Sequence, residues 1–449
     1  MATTPQFLIA APTSGSGKTT ISRGLMALFT KKRLKVQPFK CGPDYIDTKY
    51  HTAVCGRSSI NLDTFMASHD HVRQLYAYYA LDADVCMVEG MMGMYDGYDR
   101  DKGSSAEIAM LLHLPVVLVV NAQSVAYSIA PLLSGFIHFR PNIHIAGVIF
   151  NCVGSPRHYE MLREVCEDLE ITCLGYLPKE SVLEQDSRYL GLDFSKQETT
   201  EATASLIDLI DRYIDWELLL QITSLPLSTG ISRKSGKVPW VPLSEKINIT
   251  VARNEESFSF LYAEHLDILH HMGTVTYYNP EKNHPLPAET DFLYLPGGYP
   301  EKHVEKLSQA TQTLVSICDY IEAGGRVLAE CGGMMYLSQG ICFDTLQQAG
   351  NVYYPMTRVF PFSISNQKQH RKLSLGYRQF DYNGLNLRGH EFHYTQFIRG
   401  EEQSVPDSIV QVYNARKQPV DTPVFRYKNV IASYTHLYWG EINLMELFK

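Results

Sequence analysis

In the stretch RVLAECGGMMYLSQG, Arg326 to Gly340, a cysteine stands between an apolar run and two glycines. RVLAE reads as a buried strand, and GGMMYLS can open a helix. A thiol on so sharp a strand-to-helix turn is lifted out of the packed sheet and presented for attack, which is the geometry of a nucleophile elbow. Cys331 is therefore a candidate nucleophile, and it needs an oxyanion hole and a base. LYLPGGYPE closes another apolar run and offers Gly297 and Gly298. The backbone N–H groups of Gly298 and Gly332 can form the hole, because glycine lets the backbone approach a tetrahedral intermediate closely. The base should be a histidine, since a neighbouring imidazole favours the thiolate. Of the 16 histidines, His436 lies in NVIASYTHLYWG at the end of a β-like run. His390 and His393 in RGHEFHYTQF compete with it. An odd step along a strand puts those two on opposite faces, and HEFH lacks the spacing of a zinc helix, so they read as structural or substrate-adjacent.

A second chemistry opens the chain. FLIAAPTSGSGKTT places a Gly-rich loop after a strand and before a helix. Backbone N–H groups there, with the helix N-terminus, cradle phosphates. Ser14, Gly15, Ser16, Gly17, Lys18, Thr19 and Thr20 are the expected ATP-binding residues. Lys18 would reach the outer phosphates and the Thr19 hydroxyl would ligate Mg²⁺. The usual motif begins with Gly six residues before the lysine, where this chain has Pro12. Two acidic loops follow candidate strands, where ligands of open parallel sheets bind. KCGPDYIDTKYH offers Asp44 and Asp47, and VEGMMGMYDGYDRD offers Glu89 and Asp96. Mg²⁺ wants hard oxygen ligands, and Glu89 at a strand end can supply one. The competing reading makes these acids helix and turn caps. Asn151, in IFNCV, is either an adenine contact or a turn asparagine.

These residues need elements to hold them. At 449 residues the chain is too long for one ordinary core, so two domains are expected. QFLIAAP, LKVQPFK, DVCMVEG, PVVLVVNA, IHIAGVIFN and ITCLGYLP are apolar runs separated by amphipathic stretches such as TTISRGLMALFTKK. That pattern predicts a doubly wound parallel sheet covered on both faces. A Ser-, Gly-, Pro- and Lys-rich passage breaks it, and a second α/β series begins with INITVAR. The expected division is a domain over 1–222, a linker over 223–245 and a domain over 246–449.

Composition excludes other classes. Hydrophobic residues make up 45% and charged residues 20%, as in ordinary globular proteins. A net charge of −8 argues against binding nucleic acid, which needs clustered Lys and Arg. The nine scattered cysteines lack CxxC spacing, which disfavours a disulfide framework or zinc site and fits a reducing cytoplasm. The amino terminus is not signal-like, and LLHLPVVLVVNA is too short to span a bilayer, so no membrane partner is expected.

GSGKTT, KCGPDYIDTKYH, VEGMMGMYDG, SRYLGL, LPGGYPE, AECGGMMYLS, RGHEFHYT and SYTHLYWG occur in one chain and one order. In this the chain resembles the cobyrinate a,c-diamide synthase family of cobalamin-pathway glutamine amidotransferases over nearly its whole length. The resemblance implies a P-loop domain similar to dethiobiotin synthetase, then a flavodoxin-like, triad-type glutamine amidotransferase domain. Members amidate the a and c acetate carboxylates of a corrin with ATP, Mg²⁺ and glutamine. Carried over, Cys331 is the glutaminase nucleophile and His436 its base. Thr19, Glu89 and Asp47 are implied for the metal, and Asp44, Asp47 and Asp96 for the substrate. A homodimer is a further expectation. Triad amidotransferases usually have an acid two residues after the histidine, whereas this chain has Tyr438. The cobalamin branch is similar in lacking it, which leaves the orientation of His436 without a cause. Cys41 replaces the usual Val of KxGPDYID.

The implied chemistry couples two steps. ATP would convert a carboxylate into an acyl phosphate, and ammonia freed from glutamine by Cys331 would displace phosphate. A shielded path between the halves, with the corrin at their cleft, is expected because ammonium has no lone pair. Hydrogenobyrinate and nickel sirohydrochlorin are alternative substrates. The GPDYID loop argues against cobyric acid synthase. A nucleotide-driven switch with a non-catalytic second domain leaves Cys331 and His436 without a role, and a cysteine hydrolase leaves the phosphate loop idle.

Overall fold

The computed structural model describes residues 3–179, 200–226, 238–241, 246–344, 351–398 and 405–449. SRYLGL, at 187–192, lies outside the described residues, as does the middle of the expected linker. The chain divides into two compact units, Met1–Pro239 and Trp240–Lys449. Among the described residues, no helix is long and apolar enough to cross a membrane.

The first unit is built on β1 (Thr3–Ala10), β2 (Val36–Cys41), β3 (Ile60–Leu62), β4 (Val85–Glu89), β5 (Val116–Asn121), β6 (Ile145–Val153), β7 (Cys173–Pro178) and β8 (Ser224–Pro226). Its sheet runs β3-β2-β4-β1-β5-β6-β7, and those pairings are parallel. Continuous apolar strands such as VVLVVN are buried on both faces, as a helix-covered parallel sheet requires. Helix α1 (Lys18–Lys31) buries Ile21, Leu25, Leu28 and Phe29, one stripe at helical spacing, in a core that includes Phe7, Ile9, Val117 and Ile149. β1 lies between β4 and β5, so the strand order reverses at the loop that follows it. Ligands of open α/β sheets bind at such a switch point. β8, within the span expected as linker, pairs antiparallel with β1, Thr3 facing Pro226.

The second unit begins with β9 (Ile247–Ala252), β10 (Gly273–Tyr278), β11 (Phe292–Leu295) and β12 (Arg326–Glu330). They line up as β10-β9-β11-β12, followed by Val430–Ser433, all parallel. The order is that of a flavodoxin-like sheet. Val424–Tyr427 closes the edge antiparallel. Leu293, Leu295, Val327, Ala329, Met334, Val430 and Ala432 are core residues here. After Ser433 the chain leaves this sheet. His436–Tyr438 joins a separate antiparallel sheet by pairing with Leu385–His393, which pairs in turn with Ser374–Tyr382. Fold class is thus as the sequence pattern predicted.

Candidate active sites

In the first unit the loop after β1 is held from within. Gly15 and Gly17 have φ of +77° and +97°, a region that glycine enters without penalty. A Cβ on Gly17 would fall 2.1 Å from Asn151 Nδ2. That amide nitrogen donates to Ser16 O at 3.0 Å, and Asn151 Oδ1 accepts from Cys152 N at 2.9 Å. Asn151, offered by the sequence to adenine or to a turn, thus ties the loop to its own strand end with one bond from each polar atom. Ser16 Oγ donates to Thr13 O at 2.8 Å.

The acids gather unevenly around this loop. Thr19 Oγ1 donates to Glu89 Oε1 at 2.6 Å. Glu89 is fully buried at the end of β4 and also meets Lys40 Nζ at 3.0 Å and His51 Nε2 at 2.7 Å. Lys40 in turn pairs with Asp47 at 2.7 Å. Burial opposes the Glu89 charge, but Lys40, His51 and Thr19 outweigh it and hold the carboxyl below its usual range. Burial also opposes the Lys40 ammonium, and Glu89 and Asp47 overcome that, raising it above its ordinary value. Asp47 is pushed up to about 7 by burial and then by Glu89. Asp44 Oδ1 accepts from Ile46 N at 2.7 Å and Asp47 N at 2.8 Å, capping the turn into α2 (Asp47–Cys55). Asp96 accepts from Gly93 N at 3.0 Å within its own turn. Asp44 and Asp96 each cap a turn with one carboxylate oxygen, while Glu89 meets the phosphate loop at Thr19 and Asp47 joins Glu89 through Lys40. Lys18 Nζ donates to Met92 O at 2.5 Å, and burial followed by Lys40 lowers its pKa.

Thr19, Glu89 and Asp47 are hard oxygen donors at one place and suit a Mg²⁺ that keeps water and phosphate ligands as well. Among the described residues no group of three or more His, Cys, Asp or Glu is arranged to hold a metal without such help.

In the second unit Cys331 follows β12 with φ 46° and ψ −104°. Such a conformation costs a non-glycine residue on the order of 1–3 kcal/mol and persists only where neighbours enforce it. Here Cys331 N donates to Ser433 O at 2.8 Å, one step beyond the β12 ladder, and Cys331 O accepts from Met335 N at 2.9 Å as the helix Gly332–Tyr336 begins. Both flanking glycines are enforced by space. A Cβ on Gly333 would meet Leu295 O at 2.0 Å, and one on Gly332 would meet Pro300 Cδ at 2.7 Å and Gly298 N at 3.1 Å. Gly298, with φ +157°, lies against the backbone of Glu256 and Ser257. The N–H groups of Gly298 and Gly332 are thus neighbours beside the thiol.

His436 is reached from the adjacent strand, three residues beyond Ser433. Its ring lies on the glycine loop: a Cβ on Gly297 would fall 2.1 Å from His436 Cε1. Phe260 packs against it at 5.9 Å between ring centroids. Burial, then His390 and His393, lower the imidazole to about 3. Burial and then Glu301 push the Cys331 thiol up. The two shifts favour the neutral thiol and the neutral imidazole. Gly297→Ala should displace this ring. Glutamine hydrolysis is expected to fall by about 100-fold, the cost of a misplacement near 1 Å. Ammonium-dependent turnover should be unchanged, and both are read by product formation.

His390 faces His436 across the strand pair and packs edge-on to Tyr377. His393 is buried, with Nδ1 2.8 Å from Thr395 O and Nε2 2.7 Å from Glu391 Oε1, and its ring stacks on Tyr434 at 3.6 Å. Tyr438, where a triad acid would stand, donates its hydroxyl to Glu264 Oε2 at 2.6 Å.

The whole chain is similar to enzymes of known name. It is 39% identical over 444 residues to the cobyrinate a,c-diamide synthase of Caldanaerobacter subterraneus subsp. tengcongensis, covering 96% of this chain and 94% of that one. The corresponding enzyme of Priestia megaterium is 35% identical, covering 98% and 95%. The chain belongs to the a,c-diamide synthase family. That family also includes the hydrogenobyrinate a,c-diamide synthase of Brucella abortus, 36% identical over 96% of this chain and 98% of that one. Two family models divide the chain. The CobQ/CobB/MinD/ParA nucleotide binding domain matches residues 7–191, and the CobB/CobQ-like glutamine amidotransferase domain matches 248–443. The phosphate loop with its acids lies in the first match, and Cys331 and His436 in the second.

Sequence reasoning passed over Lys40, His51, Gly297 as a packing surface, and Glu330. A signal existed for two of them. Lys40 and Glu330 are charged residues at or next to the ends of largely apolar strands, and such residues are seldom buried unless paired.

Proposed function

We propose that this protein is an ATP-dependent, glutamine-hydrolysing amide ligase that converts the a and c acetate carboxylates of cobyrinate into amides. The observation that carries the reading is the presence, in one chain, of a phosphate loop whose Thr19 meets a buried Glu89 and of a cysteine on a strained strand-to-helix elbow. The names of its full-length relatives support it.

A carboxylate is a poor electrophile. Its oxygen attacks the γ-phosphorus of ATP, ADP leaves, and the acyl phosphate formed has a good leaving group. Lys18 and the loop N–H groups would offset the negative charge on the phosphates. Thr19, Glu89 and Asp47 would hold Mg²⁺, which supplies positive charge to the polyphosphate. Asp44 and Asp96 are proposed to face the corrin. In the second unit Cys331 Sγ attacks the glutamine amide carbon while His436 takes the thiol proton. The tetrahedral oxyanion would be held by Gly298 and Gly332 N–H. His436 returns the proton to the departing nitrogen, so ammonia leaves, and water then cleaves the thioester to glutamate. Ammonia adds to the acyl phosphate and phosphate departs. An ATP-consuming step of this kind accords with a cytoplasmic enzyme.

The test offers the protein ATP, Mg²⁺, glutamine and, separately, cobyrinate, hydrogenobyrinate and nickel sirohydrochlorin, and counts amides by mass spectrometry. Two amides on cobyrinate are expected. Amidation of nickel sirohydrochlorin alone, or of none of the three, would overturn the proposal.

A further inference from the structure

Glu330 is the last residue of β12 and immediately precedes the nucleophile, yet it is only 2% exposed. Its two oxygens have separate partners. Oε2 accepts from the Tyr294 hydroxyl at 2.7 Å, and Oε1 accepts from Leu437 N at 3.0 Å. Tyr294 stands on the neighbouring β11, and Leu437 is the residue after His436. Both donors are neutral, and burial prevails over them, pushing the carboxyl up to about 8. That shift favours the neutral acid, so Glu330 is an uncharged two-point hydrogen-bonding link, with Oε1 the acceptor of the Leu437 N–H, rather than half of an ion pair.

The chain path explains why an acceptor is needed. Val430–Ser433 is laddered to β12, but that ladder ends where Glu330 faces Ser433 and Cys331 N takes Ser433 O. His436–Tyr438 has left the sheet and pairs on its other edge, with Leu437 opposite Gly389. Backbone pairing with β12 no longer reaches His436. The Glu330 side chain reaches the next residue, at Leu437 N. Its anchor is stiff, because Tyr294 packs edge-on to Trp439 at 5.9 Å and Trp439 stacks on His265 at 3.8 Å.

We propose that Glu330 is a positioning residue for glutamine hydrolysis. Held by Tyr294, it grips the Leu437 N–H and so fixes the strand bearing His436 against the strand that ends in Cys331. It acts through the backbone, whereas a triad acid acts on the imidazole directly. The proposal rests on the reading of Cys331 and His436 as the glutaminase pair.

The test uses the full chain and measures glutamate release from glutamine, with ammonium-dependent amidation of cobyrinate beside it. Glu330→Ala should lower kcat for glutamine about 100-fold, with KM within about three-fold and the ammonium rate within about two-fold. Glu330→Gln should rescue to within about five-fold, since its amide offers an oxygen to Leu437 N–H and an N–H to the Tyr294 oxygen. Tyr294→Phe should fall between them. Unchanged glutamate release in Glu330→Ala overturns the proposal, as does equal loss with both nitrogen sources. A Glu330→Gln enzyme as poor as Glu330→Ala also overturns it, because a charge and not a tether would then be at work. Should Glu330→Ala fail to fold, Tyr294→Phe decides, and unchanged glutamine kcat in that variant overturns it. Cys331→Ala in the same assay keeps the two readings apart: glutamate release surviving there sinks the dyad and leaves the tether unblamed.

Discussion

Cys331→Ala should lower glutamine-dependent amidation by at least about 10⁴-fold, the scale on which single losses from a cysteine- or serine-type catalytic unit act. Supplied with ammonium salt at alkaline pH, the same variant should form product at close to the parent rate. The argument is one of separate chemistries. In the proposed mechanism acyl-phosphate formation draws on Lys18, Thr19 and Glu89, none of which lies in the unit that contains Cys331. Alanine also removes only a sulfur from a site whose backbone is already held by Ser433 O and by the space around Gly332 and Gly333. The fold should therefore survive, and the melting temperature should stay within a few degrees of the parent value. Product counted by mass spectrometry with each nitrogen source decides the matter. Loss of both activities in a folded variant would mean that the thiol serves the ligase step as well.

The contrast between what could and could not be read from the sequence follows from distance along the chain. The elbow at Cys331 and the loop before α1 are local: strand, glycines and helix follow one another within a dozen or so residues. The parallel sheets were legible for the same reason, as runs like VVLVVN have one environment that suits them. The site acids were half legible. Asp44 and Glu89 look alike as acids after strands, yet one caps a turn and the other is buried among Lys40, His51 and Thr19. That difference depends on which strands become neighbours, and β2 pairs directly with β4 although β3 separates them along the chain. His436 is still harder. Its strand switches sheets at Tyr434 and Thr435, and no periodicity in NVIASYTHLYWG marks that switch. The tether at Glu330 is invisible for the same reason, since its partner is a backbone N–H more than 100 residues away.

Lys18→Ala should abolish amidation with glutamine and with ammonium alike, by about 1,000-fold, within the range that one transition-state cation contributes to phosphoryl transfer. Its ammonium stands at the start of α1 and now donates to Met92 O at 2.5 Å, a contact that a nucleotide's phosphates can replace. Burial and Lys40 already disfavour the charge, so the fold bears a cost in keeping it there. A charge retained against its own solvation beside a phosphate loop marks a candidate ligand contact. Removing it exposes two opposing effects on stability. The Met92 carbonyl loses a donor, but Met92 is exposed and water can replace it, while relief of the buried ammonium acts in the opposite direction. A melting shift of no more than a few degrees is therefore expected. Alkylation of Cys331 by iodoacetamide should proceed at the parent rate, which shows that the second unit is intact. An enzyme that kept a tenth of its ammonium-dependent rate without Lys18 would place the phosphoryl-transfer charge elsewhere, with Lys40 the next residue to test.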